Sequence, residues 1–588
     1  MTIYDYAVIA FYLLFMLLLG PVYKSFSKTA SDYFRGGGGM LWWVVGSSAF
    51  MVNFSAWSFT GGAAKAYETG TFFLLLFACN FVSLFFCYFF TAAKFRQMRV
   101  ITPIEAVYKR FGAVNEQVFT WLPIPFNIIF GGIGLYTISV FMTGVFNVPM
   151  EALIVGLGIT VTVMTLLGGS WAATAGDFVQ MLVLLTITLV MAFLTLRHPD
   201  VGGIVNLIDK LPPQHFDWTC FDRLGVIIFF AATLLINQLV QGNSMMTGAA
   251  RYIFVKDGKD AKKAVIMSIL GFLLLSPVWM IPSVAATILH PNLAAEYPNL
   301  NNPNEAAYVA MAVTLLPRGL MGLLVCGIFA ASMTTMNSAF NIASGTFVRN
   351  FYIKIIDKKA SESKQIFVGR VFILVYGVLW IITGLYFRSV KSMQLFDLLL
   401  LAAASIGIPT ATPLFFGMFI RKTPAWSGWC VMLVGLLVSV TLRFTLTDDL
   451  IQRLFSPQVP FNSTEIGDLN IAITTVTLFV VCISTFLFSM LFYKKSSAEY
   501  SANIDAFFNE MHAPVDIVKE KVGSVDGDIR QYNVLGNLCV IYGLAVLLLL
   551  IIPNPVYARL CILFCGGLIL LTGLILCVIA RRIRAKVV

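Results

Sequence analysis

Residues 330–344, AASMTTMNSAFNIAS, gather hydroxyl and amide groups without a single charge, directly after the apolar run MGLLVCGIF. Ala331, Thr334, Thr335 and Ser338 recur at i, i+3, i+4 and i+7, so on a helix they share one face. Two chemistries fit such a face. Hydroxyl and carbonyl oxygens can ligate a small hard cation without burying uncompensated charge. Equally, the hydroxyls can bond back to carbonyls of their own helix or join helices through small polar contacts.

A second set of polar groups interrupts two otherwise apolar stretches, MVNFSAWSFTGGAAKAYETG (51–70) and NQLVQGNSMMTGAARYIF (237–254). Backbone freed at membrane depth is tolerated only where it lines a protein-enclosed cavity, and paired interruptions in two halves of a transporter mark its binding site. The segments SFTGGAAK (58–65) and SMMTGAAR (244–251) agree at Ser, Gly, Ala, Ala and a base, a short match compatible with a repeat or with chance. Asn53, Asn80, Gln238 and Gln241 are the neutral polar candidates for such a cavity. They suit an uncharged polyol or sugar-like solute, or the amide or carboxylate of a small metabolite; each could instead be an interhelical hydrogen bond. Lys65 and Glu68, at i and i+3, read as a surface ion pair at the outer end of their helix.

The elements that must carry these groups are membrane helices. Of 588 residues, 59% are hydrophobic and 12% charged, with mean hydropathy +0.85, outside the range of a soluble domain. Fifteen windows between residues 4 and 580 are apolar enough for the roughly 20-residue length of a spanning helix. With the N-terminus outside and the C-terminus in the cytoplasm, the loops assigned to the cytoplasm hold 30 of the 40 Lys and Arg, as the positive-inside bias requires. The net charge of +11 is therefore topology rather than a nucleic-acid signal. The opening MTIYDYAVIAFYLLFMLLLG lacks a basic n-region and reads as a retained helix. No zinc, nucleophile-elbow or phosphate-loop pattern occurs, the ten Cys form no CxxC, and GGGG at 36–39 reads as an entry turn. An enzyme is not indicated, and no cofactor is expected. Asn462-Ser463-Thr464 is a glycosylation sequon on the predicted outer side.

SDYFRGGGGMLWW (31–43), TPIEAVYKRFG (102–112), LLGGSWAATAGDFVQ (166–180), ARYIFVKDGKDAKKA (250–264) and MGLLVCGIFAASMTTMNSAFNIASGTFVRNFY (321–352) together resemble the solute:sodium symporters, the family of the sodium/glucose and sodium/proline cotransporters. The resemblance implies an all-α, LeuT-like core of two inverted five-helix repeats, at 41–196 and 224–420. Residues 1–40 hold an extra helix and a loop before it, and 425–588 hold further helices after it, with a cytoplasmic segment at 494–533. It implies a sodium ion held by backbone carbonyls of Met51, Phe54 and Ala331 and by oxygens of Thr334 and Thr335, which replace the family's usual serines. Asp177 matches the acid of the family's TD-x-x-Q pattern, with Ala175-Gly176 where its Thr would precede and Gln180 retained. It is expected to tune the ion path, or to be no more than an acid favoured near a helix N-terminus. Asn53 and Ser58 fall at sugar-contact positions. Other sugar contacts are replaced, by Phe77, by an apolar residue near Phe272 and by the run near Leu400, and Gln241 stands where the family has an inner-gate Tyr. The function implied is sodium-coupled import of a small organic solute by alternating access, across the plasma membrane of a bacterium. Proton coupling on the same fold, or a transporter-like sensor signalling through 494–533, are the alternatives.

Overall fold

The computed structural model describes residues 1–588 apart from 25–35, 147, 217–223, 299, 390–394, 456–459, 462, 496, 521 and 588. Ser31–Arg35 of the first motif and Asn462 of the sequon therefore lie outside the described residues. The described chain is helical, with one isolated β-bridge between Met40 and Val255. In chain order its principal helices are α1 (Ile3–Lys24), α2 (Trp42–Met51), α3 (Gly61–Thr69), α4 (Leu74–Phe86), α5 (Pro123–Phe146), α6 (Met150–Arg197) and α7 (Leu224–Gly242). There follow α8 (Met245–Tyr252), α9 (Gly258–Leu289), α10 (Leu320–Thr346), α11 (Glu362–Ser389), α12 (Ile408–Phe416) and α13 (Ser427–Thr445). Last come α14 (Ser463–Ser489), α15 (Ala498–His512), α16 (Val525–Leu547) and α17 (Val556–Val587). Eleven described helical stretches are long and apolar enough to cross a membrane, and Ile3–Met16, Met150–Leu166 and Ile228–Gly242 are shorter apolar helices.

Helical assignment is continuous through the 48 residues of α6, which as one rod would measure about 72 Å at 1.5 Å per residue, more than twice the ~30 Å hydrocarbon core. Its neighbours show two antiparallel arms. Glu151 pairs with Arg388 at the end of α11, and Thr165 donates to Asn337 of α10 at 2.5 Å. Beyond the reversal, Asp177 meets Thr334 and Leu184 and Ile187 pack near Gly327, so this arm runs back along α10. The first arm leans on α11 and the second on α10.

α10 is the central element: Leu320–Thr334 are buried throughout. Its start is fixed from α1, where the Asp5 carboxylate accepts from the backbone N–H groups of Gly319 (2.9 Å) and Gly322 (3.0 Å), satisfying donors that a helix N-terminus leaves orphaned. α2 approaches α9 closely because position 46 lacks a side chain; a Cβ there would stand 2.9 Å from the carbonyl oxygen of Ala264.

The opposite face gathers the basic loops. Lys354 pairs with Glu116, Arg349 with Glu105, and Arg110 donates to the carbonyls of Gly417 and Ile420. Across this face lies α15, which buries Ile504, Phe507, Phe508 and Met511. Arg99, held at φ 51°, donates to the carbonyls of Glu510, Ala513 and Pro514 at the end of α15. Further along, Gln531 accepts from Leu41 N–H and donates to the Gly39 carbonyl, both at 3.1 Å, which fixes the entry to α2.

Candidate functional site

The first break follows α2. Val52–Ser55 leave the helical path, Ser55 being extended at φ −153°, and the chain resumes as Ala56–Phe59 and α3. Gly61, Gly62 and the small hydroxyl residues around it make poor helix continuations. What holds the broken ends is α10, whose Ser332 hydroxyl accepts from Ala56 N–H at 2.8 Å. The second break, Asn243–Ser244, separates α7 from α8, and Ser244 N-caps α8. Both interruptions fall inside the stretches that the sequence marks out.

Of the oxygens expected to surround an ion, Thr335 reaches the first break: its hydroxyl is 3.5 Å from the carbonyl oxygens of both Val52 and Ala331. That is wider than an ordinary O–H···O bond of 2.5–3.0 Å, so three oxygens converge there without tying one another up. The Met51 carbonyl accepts from Phe54 N–H at 3.0 Å, and both residues are buried. Thr334, one position earlier, is rotated by about 100° around the helix and faces elsewhere. Its hydroxyl donates to Asp177 Oδ1 at 2.6 Å and lies 2.9 Å from Gln180 Oε1. Asp177 is 2% exposed and lies soon after the reversal, near the start of the second arm of α6. Its second oxygen accepts from Ser48 of α2 at 2.5 Å. Ser48 in turn accepts from Arg251 Nη1 at 2.9 Å, and Arg251 Nη2 donates to Ser338 at 2.6 Å. A chain of Thr334, Asp177, Ser48, Arg251 and Ser338 thus links α10, α6, α2 and α8.

Beside this chain a cavity of about 360 Å³ extends from Asn53 at the first break to Tyr252 and Thr346 near the basic face. Asn53, Asn80, Gln238 and Thr335 line it together, with Asn127 and Asn243. Two expected residues do not. Gln241 turns onto Asn237 and donates to the Ala403 carbonyl at 3.0 Å, and Ser58, 2% exposed, lies outside the lining. On the other side of the break, Trp279 collects Phe54 (5.6 Å between ring centroids), Phe59 (5.4 Å) and Phe77 (5.5 Å), while Phe54 stacks on Phe272 at 5.6 Å. Phe77 and Phe272 thus join an aromatic plug between the break and the face that carries the N-terminus.

Three participants were not legible from types and spacing. Ser48 is one hydroxyl in an apolar run, and Arg251 counts in the sequence as one more loop base although it sits beside the cavity. The third is a correction: Lys65 does not pair with Glu68 on the surface. It is 2% exposed and bonds both oxygens of Asp468 in α14 at 3.3 and 3.1 Å, and Asp468 is 1% exposed. Glu68 instead accepts from Asn304 at 2.8 Å. No spacing rule brings together residues 403 positions apart.

A family model described as "Sodium:solute symporter family" matches residues 33–435. The chain belongs to the sodium:solute symporter family. It is a multi-pass membrane transporter, not an enzyme. Among curated relatives, a sodium/sialic acid symporter of Proteus mirabilis is 24% identical over 444 residues, covering 74% of this chain and 88% of that one. The human sodium/myo-inositol cotransporter 2 is 27% identical over 480 residues, covering 74% and 69%. A solved substrate-bound, outward-open sodium-coupled sialic acid symporter superposes with TM-score 0.63 at 21% identity, over 82% of this chain and 98% of that one. Mhp1, a nucleobase-cation-symport-1 transporter in a closed conformation, gives 0.51 at 13% identity, over 81% and 99%. These likenesses bear out the LeuT-like fold and sodium-coupled symport of a small solute expected from the sequence.

Proposed function

We propose that this symporter carries a small polar organic solute inward with one sodium ion, the solute held in the cavity lined by Asn53, Asn80 and Gln238. The ion is taken by Thr335 and the carbonyls of Met51, Phe54 and Ala331, with Thr334 anchoring the site to Asp177. The observation that carries this reading is convergence: both helix breaks and the hydroxyl face of α10 meet at one cavity of a size usual for small-molecule sites. The break brings the Val52 carbonyl within 3.5 Å of the Thr335 hydroxyl, while the Met51 carbonyl accepts from Phe54 N–H across the turn. Residues 41–196 and 224–420 are read as the inverted repeats, whose relative rocking alternates access. With N-terminus outside and the basic face in the cytoplasm of a bacterial inner membrane, the aromatic plug closes the outside and the cavity leads inward.

The test is the thermal stability of the purified full-length protein in sodium chloride against choline chloride, with and without sugars, polyols, amino acids and carboxylates. Sodium alone raises the melting temperature on this reading, and a transported solute raises it further only with sodium present. Equal stability in both salts removes the sodium assignment and leaves proton coupling as the alternative.

A further inference from the structure

A second chamber lies past the first break. It holds about 170 Å³ and meets the solute cavity at Asn127, Thr335 and Ala339, which line both. From that junction it runs along α5 and α10, away from the basic face, between Trp57, Phe130, Ile133, Met336, Trp380 and Leu399. Glycines of α5 make the space. At Gly131 a Cβ would stand 1.9 Å from the Trp380 ring, so the indole occupies the place of a side chain, and Phe340 stacks on it at 4.2 Å between ring centroids. At Gly134 a Cβ would meet, among the described residues, only the flexible end of Met336, at 3.2 Å.

The chamber offers apolar faces and few free polar groups. The Ser332 hydroxyl accepts from Ala56 N–H, and Thr137 donates to the Ile133 carbonyl of its own helix. Trp380 is 2% exposed, and its indole nitrogen is sealed from solvent without a partner, pressed against Gly131. Asn127 and Thr335 are polar, but they stand at the junction with the solute cavity. A fully hydroxylated guest pushed into this space would lose hydrogen bonds to water that the walls do not return. An apolar cavity of roughly 150 Å³ stays dry and takes a benzene-sized guest, so both volume and lining suit one ring or one branched alkyl group.

We propose that the transported solute is amphipathic, with a polar head among Asn53, Asn80 and Gln238 and an apolar group of about ring size seated in this chamber against Trp380. This rests on the transport reading above and gives it a substrate class. Head and apolar group then lie on either side of Thr335, the hydroxyl that reaches the first break. A polyol would fill the solute cavity and leave the chamber empty.

The experiment measures the melting temperature of the full-length protein in detergent and sodium chloride with matched pairs that differ by a phenyl group: glucose and phenyl glucoside, alanine and phenylalanine, lactate and phenyllactate. In at least one pair the phenyl member is expected to stabilise in a saturable way at a concentration about tenfold or more below its partner, as burial of an aromatic ring implies. Gly134→Leu fills the chamber from α5 and should abolish that preference while leaving the shift caused by sodium alone; Gly134→Ala, which adds one methyl group against Met336, should reduce it. The proposal is overturned if no phenyl member binds more tightly than its partner, or if the preference survives Gly134→Leu, as adsorption to lipid-facing surface would. Should Gly134→Leu not fold, Gly134→Ala and the ranking within pairs decide. Absence of any sodium effect without solute sinks the transport reading and not the preference for an apolar group, because that arm contains no solute.

Discussion

Thr334 and Thr335 are neighbours in sequence and do different work. Thr335 stands at the break, within 3.5 Å of two carbonyl oxygens, whereas Thr334 is bonded to a carboxylate. Removing the Thr335 hydroxyl takes an oxygen from the proposed ion cage and leaves small apolar volume behind. Thr335→Ala is therefore expected to raise the sodium concentration for half-maximal uptake at least tenfold, and Thr335→Ser to stay within about threefold. Uptake into proteoliposomes at graded external sodium measures both, and an unchanged sodium dependence in Thr335→Ala would falsify the ligand assignment. The polar face of α10 was legible from spacing, because i, i+3, i+4 and i+7 positions must align on any helix. Its division, Thr335 toward the first break and Thr334 toward Asp177, was not, since that depends on which helix packs on which side.

Between elements, the most consequential contact is the buried pair Lys65–Asp468, joining α3, just beyond the first break, to α14. The exposed pairs that help fasten α15, such as Lys109–Glu510 at 32% and 44% exposure, contribute about 0–1 kcal/mol each; α15 is held chiefly by its four buried side chains. For Lys65–Asp468 the balance differs. Deleting one partner strands a buried charge, at a cost of about 3–5 kcal/mol, while replacing both by apolar residues is often neutral. Lys65→Met should thus lower the melting temperature and the yield of folded protein, and Lys65→Met with Asp468→Leu should recover most of both. A double variant no better than the single one would mean that Lys65 acts through a partner other than Asp468. The two helix breaks were visible in sequence because Gly, amide and hydroxyl groups stand where hydrocarbon contact is required. The pair was invisible, because a Lys three residues before a Glu satisfies a local rule and the distant Asp satisfies it better.

At the scale of the whole molecule, the span pattern follows from the bilayer itself, which is why an all-helical membrane protein was readable without any contact, whereas the LeuT-like core was implied only by the family resemblance. Cargo charge is different, for no span or charge pattern in the sequence decides it, and it has an energetic consequence. One sodium ion entering with an uncharged solute draws about 2.3 kcal/mol from 100 mV of membrane potential and about 1.4 kcal/mol from a tenfold sodium gradient. Together these support accumulation of several hundredfold. If the solute carries one negative charge, the potential drops out and only about tenfold remains. Proteoliposomes with a tenfold inward sodium gradient, held at zero or at 100 mV inside-negative by potassium and valinomycin, separate the cases. For an acid that binds, steady-state accumulation is expected to be the same at both potentials. A strong rise at 100 mV would show that net positive charge crosses in each cycle, and one sodium with one monoanionic solute could not be the stoichiometry.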